Sequence, residues 1–449
     1  MSRAPAWIGL DIGTSRVKAV AWSERGEWGS AAAATPWQGG VLDAEALSRV
    51  AISVCEQSLD DIPEAVDVVA VGVASMGEAG IWVDYTGPVG PLTGWQDQSD
   101  TEAFYRRFIN EWDPMTVYQR TGVAASPKFG LFRTMVGSRP RPLKESTWLQ
   151  AADWIVYRWT GGSRVTHANL AARTMALDWQ RQTWDDAILQ FAGLSAVNLP
   201  QILTRPVNGG VVRSDLSDRM KGAAMVPAGQ DHAAAYVGAG LPGGVALDSS
   251  GTAEPWVVEE DQPILTPTAF QHGIIWAPNV LGTGFAGLLP TPAGGAAERW
   301  AQEWFGGPFS QRPGTSSVQF EAEGFMRGQA RLVGLGPSTD ASMIYEAVLV
   351  GVAQSIENKL QALRQIAGRE FSEVAWVGGA VAHRRWEAIR QEQISAHLWA
   401  LEPPEAAALG ALLAAMAATT SPEVPRPPRT WRKVASDRIE NPPWSAVRG

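Results

Sequence analysis

Between positions 43 and 59 the apolar residues Ala46, Leu47, Val50, Ala51, Val54, Cys55 and Leu59 recur at three- and four-residue spacing. That period predicts an amphipathic helix, with Asp43 as its N-cap. The run VDVVAVGVAS (66–75) is apolar without interruption, as in a strand buried on both faces. IWVD (81–84) predicts a further strand, followed by a turn at YTGPVGP. Nearer the N-terminus, WIGL and VKAVAW flank Gly13-Thr14-Ser15, which predicts a β-hairpin. Strand, helix and strand alternate, so the first half is α/β. The second half opens in the same way: GVALDSSGTAEPWVVEE (244–260) reads as strand, Gly-Thr turn and strand. Leu10-Asp11 precedes Gly13-Thr14, and Leu247-Asp248 precedes Gly251-Thr252. A repeat at half the chain length predicts two copies of one domain type, 1–240 and 241–449, whose hairpin turns face a shared cleft. Beyond position 419 the chain is rich in proline, which predicts a tail wrapping the surface.

Length agrees with that division, since 449 residues is two domains of about 200 each. A net charge of −9 and a pI near 5.2 exclude the basic surface of a nucleic-acid binder. Cys55 is the single cysteine, so an internal disulfide and a thiolate zinc cluster are excluded, and its neighbours predict a buried thiol. Asp11 and Arg16 break the early apolar run, so no signal peptide is expected. The longest apolar stretch, 406–418, is too short to span a bilayer, and a cytoplasmic protein is expected. Trp faces can stack on sugar rings, but 21 Trp residues fit a core equally well.

A turn rich in Gly, Thr and Ser offers backbone N–H groups to phosphate oxygens. Asp11 beside it would repel phosphate unless a cation such as Mg²⁺ lies between them. An ordinary N-terminal hairpin accounts for the same residues. Gly238, Gly240 and Gly243 form a G-x-G-x-x-G with Glu259 downstream, but helix-like sequence precedes them and strand-like sequence follows. A dinucleotide fold needs the reverse order. The chain has no G-x-x-x-x-G-K-[ST], no H-E-x-x-H and no G-x-S-x-G; VASMG (73–77) has Val73 where the last needs Gly. What remains are the small-residue turns DIGTS, SSGTA, PAGGA (292–296) and VGGA (377–380), and AGQDHAAAYVGAG (228–240). Asp231 heads a helix of small residues there, as an N-terminal charge or as a general base facing a cleft.

Together these segments resemble the FGGY carbohydrate kinases, a branch of the actin-like ATPases, over nearly the whole chain and in the family's order. The resemblance implies an α/β fold of two RNase H-like domains flanking a cleft, with ATP and Mg²⁺ as cofactors. GLDIGTSRVKAV is similar to the first phosphate loop, with Asp11 addressing Mg²⁺ and Gly13, Thr14 and Ser15 the phosphate. DSSGTA resembles the second, with Gly251 and Thr252 in matching positions. PAGGAAERW (292–300), with Gly294 and Gly295, and VGGAVAHRRW (377–386), with Gly378, Gly379 and Ala380, resemble the segments that cradle the nucleotide. EAAALG (405–410) is similar to the helix closing that site. The resemblance puts Asp231 in the role of base and implies that it binds the acceptor together with His232, where many members have Asn or Gln. GVASMGEAGIWVD (72–84) and PLTGWQDQSD (91–100) match the sugar-binding stretches, which implies Glu78, Trp95 and Asp97 as acceptor-binding residues. NLAARTMALDWQRQTWDD (169–186) is similar to a stretch of mainly structural role. Ser99 stands in place of Arg in the family's W-x-D-x-R, and a Pro-Tyr-rich segment is missing or contracted around 324–337.

The expected activity is transfer of the γ-phosphate of ATP to a hydroxyl of a sugar or polyol, a pentulose or short polyol being favoured. The alternative is a catalytically silent sugar and nucleotide sensor that keeps the fold. Neither nucleic acid nor membrane is an expected partner, and a homodimer is left open.

Overall fold

The computed structural model describes residues 3–62, 65–95, 98, 100–136, 139, 143–307, 317–402, 405–420, 426–434 and 442–444. Two sheets dominate. The N-terminal sheet runs in the order Ala224–Gln230, Val66–Ser75, Ala4–Ile12, Arg16–Ser23, Trp28–Ala34. The C-terminal sheet runs Ile275–Pro278, Phe285–Leu289, Trp256–Glu260, Ala246–Ser250, Glu373–Gly378, His397–Glu402, Thr430–Lys433. In each, the leading hairpin (Ala4–Ile12 with Arg16–Ser23, Ala246–Ser250 with Trp256–Glu260) pairs antiparallel and extends to a third antiparallel strand. On its other side, each first strand starts a run of two parallel pairings. The repeated sequence pattern is therefore a repeated topology.

Strand alternation sends successive side chains of Ala4–Ile12 into different cores. Ile8 and Leu10 pack with Leu47, Val54 and Trp154, while Trp7 packs with Leu412 and Met416. The first group covers one face through the helix Ala44–Ser58, which starts where the spacing predicts. Asp43 caps it by accepting from the Ala46 amide at 2.6 Å, an interaction typically contributing about 1 kcal/mol. Cys55 is buried on that helix.

The other face is closed by a helix from the far end of the chain, Ala406–Thr419, which lies against strands Ala4–Ile12, Val66–Ser75 and Ala224–Gln230. It crosses the helix Asp231–Ala239 closely. A Cβ on Gly238 would lie 1.8 Å from the Ala406 carbonyl oxygen, and one on Gly410 1.8 Å from that of Ala234. Only glycine permits this backbone approach.

Two local expectations are revised. The turn predicted at 85–91 is confined to Tyr85-Thr86, and Gly87–Thr93 is a strand returning against Gly80–Asp84. In the proline-rich tail, Thr430–Lys433 joins the C-terminal sheet as its edge strand. Both segments have weak alternation, and pairing to a neighbour overrides the local turn residues. Among the described residues no helix is long and apolar enough to cross a membrane.

Candidate active site

Both hairpin turns open into one cleft of about 560 Å³ between the sheets. Gly13 donates its amide to the Arg16 carbonyl at 3.0 Å, and Gly251 donates to Ala253 at 3.0 Å. Each turn is thereby closed by its glycine, and the amides of Thr14, Ser15 and Thr252 carry no hydrogen bond to a described residue. The first turn is braced from behind, with the Thr35 hydroxyl on the Gly13 carbonyl (2.8 Å) and the Trp37 indole on that of Thr14 (2.7 Å). The turns touch: Ser15 Oγ and Thr252 Oγ1 are 3.0 Å apart.

The helix Gly295–Phe305 begins on the second turn. Gly295 and Ala296 donate to the carbonyls of Gly251 and Thr252, and Arg299 Nη2 donates to Thr252 Oγ1 at 3.1 Å. Gly378, Gly379 and Ala380 line the cleft nearby, while Gly294 sits behind it against Glu254. Gly378 has φ +105°, and a Cβ there would fall 1.9 Å from the Ser250 carbonyl oxygen. The second turn is anchored from below by Arg390, which is fully buried between the rings of Trp376 and Trp386. Its guanidinium bonds Asp248 and Glu254, the residues on either side of the turn.

Asp11 is buried, and its cross-strand neighbour in the hairpin is Lys18, which also lines the cleft. Burial, then the Asp231 carboxylate, push the Asp11 carboxyl up to about 7 against the opposing Lys18 charge. Asp11 Oδ1 is buried with no hydrogen-bond partner. Asp231 opens its helix, but the N-cap is Gln230, whose side chain accepts from Ala233. Relieved of capping, Asp231 accepts through Oδ1 from its neighbour's amide, His232 N, at 2.8 Å, and from Gln230 Nε2. Burial pushes this carboxyl up to about 7 as well, with the His232 amide opposing and Glu78 adding. His232 meets Ser249 Oγ at 2.8 Å through Nδ1, and burial lowers it to about 4, so the ring is neutral.

Glu78, which also lines the cleft, follows the strand Val66–Ser75 in a left-handed conformation, φ 60°. A non-glycine residue there costs of order 1 kcal/mol, which the surroundings must hold. Gln150 accepts its amide at 3.3 Å, and Arg173 bonds Oε1 in a buried ion pair. Lys128 and Trp95 line the cleft as well. Asp97 and Ser99 lie outside the described residues.

Of the residues expected from sequence, Asp11, Gly13, Thr14, Ser15, Glu78, Trp95, Asp231, His232, Gly251, Thr252, Gly295, Gly378, Gly379 and Ala380 share the cleft. Sequence reasoning missed Lys18, Lys128, Arg173 and Arg299. Lys18 was within reach, because hairpin register places it opposite Asp11. SPKF (126–129) carries no local signal that could single out Lys128. Most Trp residues are core: Trp7, Trp154, Trp159, Trp256, Trp276, Trp376 and Trp386 are fully buried.

Residues 6–238 match the N-terminal domain of the FGGY family of carbohydrate kinases, and 319–419 match its C-terminal domain. An apulose kinase of Pectobacterium atrosepticum is 25% identical over 444 residues, 91% of this chain and 88% of that protein. A glycerol kinase of Myxococcus xanthus is 25% identical over 349 residues, 71% of this chain and 70% of that one. The crystal structure of Plasmodium falciparum glycerol kinase with ADP superposes with a TM-score of 0.76 at 17% identity, covering 93% of this chain and 90% of that one. The family's kinases use ATP and phosphorylate alcohol groups. With both of its domains matched in order on a two-sheet fold of the same kind, this chain belongs to the FGGY family of carbohydrate kinases.

Proposed function

We propose that the chain transfers the γ-phosphate of ATP to a hydroxyl of a short polyhydroxylated acceptor, of pentulose or small-polyol length. The observation that carries this reading is the meeting of the two Gly-Thr turns, Ser15 Oγ to Thr252 Oγ1 at 3.0 Å, with Asp11 and Asp231 lining the same cleft. In this reading residues 1–240 hold the acceptor and the base, and 241–449 hold most of the nucleotide site. The unbonded amides of Thr14, Ser15 and Thr252 cradle the phosphoryl group from both sides, stabilising charge on its equatorial oxygens. The acceptor oxygen attacks phosphorus, the bond to the β-phosphate bridge oxygen breaks, ADP leaves and the hydroxyl proton passes to Asp231.

The residues fit a divalent cation. Asp11 Oδ1 is buried and unpartnered, and Mg²⁺ in nucleotide sites is held by one or two carboxylates plus phosphate oxygens. Asp11 would hold it, and the ion would supply charge neutralisation on the phosphates. Among the described residues there is no cluster of three or more His, Cys, Asp or Glu side chains to bind a metal without the nucleotide. The test is ADP release from Mg-ATP across a panel of ketoses, polyols and sugar acids. Turnover above the acceptor-free rate is expected; ligand binding without any turnover would identify a silent sensor instead.

A further inference from the structure

The chain departs from regular strand geometry just before Asp231. Ala224–Gln230 runs in even parallel register with Val66–Ser75 as far as Pro227, and the register slips before Gln230 meets Ser75. Gly229 takes φ +81° inside that irregularity. Such a break re-aims the side chains that follow it and leaves backbone groups to find partners outside the ladder. The partner here is Asn169, a buried side chain with 1% exposure. The Gln230 amide donates to Asn169 Oδ1 at 3.0 Å, and a Cβ on Gly229 would lie 3.1 Å from the same side chain. Asn169 is itself held on the short helix Ala168–Ala171, where its own amide donates to His167 Nδ1 at 3.1 Å.

The other end of the Asn169 side chain reaches the C-terminal sheet, where Nδ2 donates to the Pro278 carbonyl at 2.8 Å. Ile275–Pro278 is the edge strand of that sheet, and its outer side is held by the first half of the chain, since Trp276 also donates its amide to the Gly122 carbonyl at 2.8 Å. Its inner neighbour, Phe285–Leu289, pairs in turn with Trp256–Glu260, an arm of the second hairpin. A carboxamide suits this bridge because it offers one acceptor and one donor on a single rigid plane. We infer that Asn169 is a positioning residue for phosphoryl transfer, acting through Asp231. By holding the Gln230 backbone it fixes the side chain that caps the base helix and bonds the Asp231 carboxylate. Through Pro278 it keeps the base in register with the sheet that carries the second Gly-Thr turn. The inference rests on the kinase reading above and deepens it. A base misplaced by about 1 Å from the attacking hydroxyl can cost about 100-fold in rate.

A double-mutant cycle with the base tests this, with rates counted per ADP site titrated so that misfolded chains drop out. Asn169→Ser, too short to span both groups, should lower kcat by about 10- to 100-fold and leave KM for ATP within about twofold. Asn169→Leu keeps the size, removes both bonds and should do the same. Introduced into Asp231→Asn, either change should cost less than about twofold, because no base is left to aim. Asn169→Asp keeps an acceptor for the Gln230 amide and should retain kcat within about fivefold of wild type. An equal loss in both backgrounds would make Asn169 a purely structural residue, and a loss below about twofold in the wild-type background would show that Asp231 needs no such hold. Either result overturns the inference and leaves the kinase reading standing. Absence of ADP release by the wild type with every acceptor overturns both.

Discussion

Two carboxylates a short way apart in one cleft both titrate near neutrality, and that shapes how Asp231 is expected to work. A base must be ionised to accept a proton. With its carboxyl raised to about 7, Asp231 is increasingly protonated, and idle, as pH falls below that value. The wild-type kcat/KM should therefore drop roughly tenfold per unit on the acid side, while Asp231→Asn should lose about 10²–10⁴ in kcat with ADP affinity unchanged. A variant keeping more than about a third of wild-type kcat would take Asp231 out of the mechanism. Its place was legible because a carboxylate following Gly229 and opening an alanine-rich helix is a recognisable pattern. What sequence did not disclose is that Gln230 does the capping and leaves Asp231 free of that duty. Glu78 shows the same limit. Its position after a buried strand was readable, but its pairing with Arg173 joins residues nearly a hundred positions apart, with no local trace.

The hairpin turn is the element on which the site is built, and there are two of them. Because Ser15 and Thr252 touch, the turns should behave as one device rather than as independent contributors. In a double-mutant cycle on kcat/KM for ATP, Ser15→Ala and Thr252→Val are expected to be non-additive; additivity within about 0.5 kcal/mol would mean that the turns act separately. Each turn was visible in the sequence as Gly-Thr between apolar runs. The anchoring of the second was not, since Arg390 reaches Asp248 and Glu254 from a helix far along the chain. Removing that cation leaves two buried carboxylates uncompensated. Arg390→Met should cost about 3–5 kcal/mol in urea denaturation, and adding Asp248→Asn with Glu254→Gln should restore part of it. A loss below about 1 kcal/mol would show that the carboxylates share a proton and need no cation.

At the scale of the molecule, the division into halves that length and repeat predict is crossed by the helix Ala406–Thr419. Ala406–Thr419 reads in sequence as an apolar stretch too short for a membrane whose start resembles the helix closing the nucleotide site, and nothing in it says which sheet it covers. The structure sets it on the first sheet, where Cβ atoms on Gly9 and Gly72 would fall 1.9 Å from the carbonyl oxygens of Ala408 and Ala411. Residues 1–240 expressed alone should therefore expose a broad apolar face and aggregate, whereas co-expression with 241–449 should yield a soluble complex. A soluble fragment 1–240 with cooperative thermal unfolding would refute this. The chain emerges from the ribosome N-terminus first, so the first core stays unfinished until its lid, Ala406–Thr419, has been synthesised. A message cut short anywhere before position 406 then gives material for degradation rather than a half-enzyme able to sequester sugar without phosphorylating it.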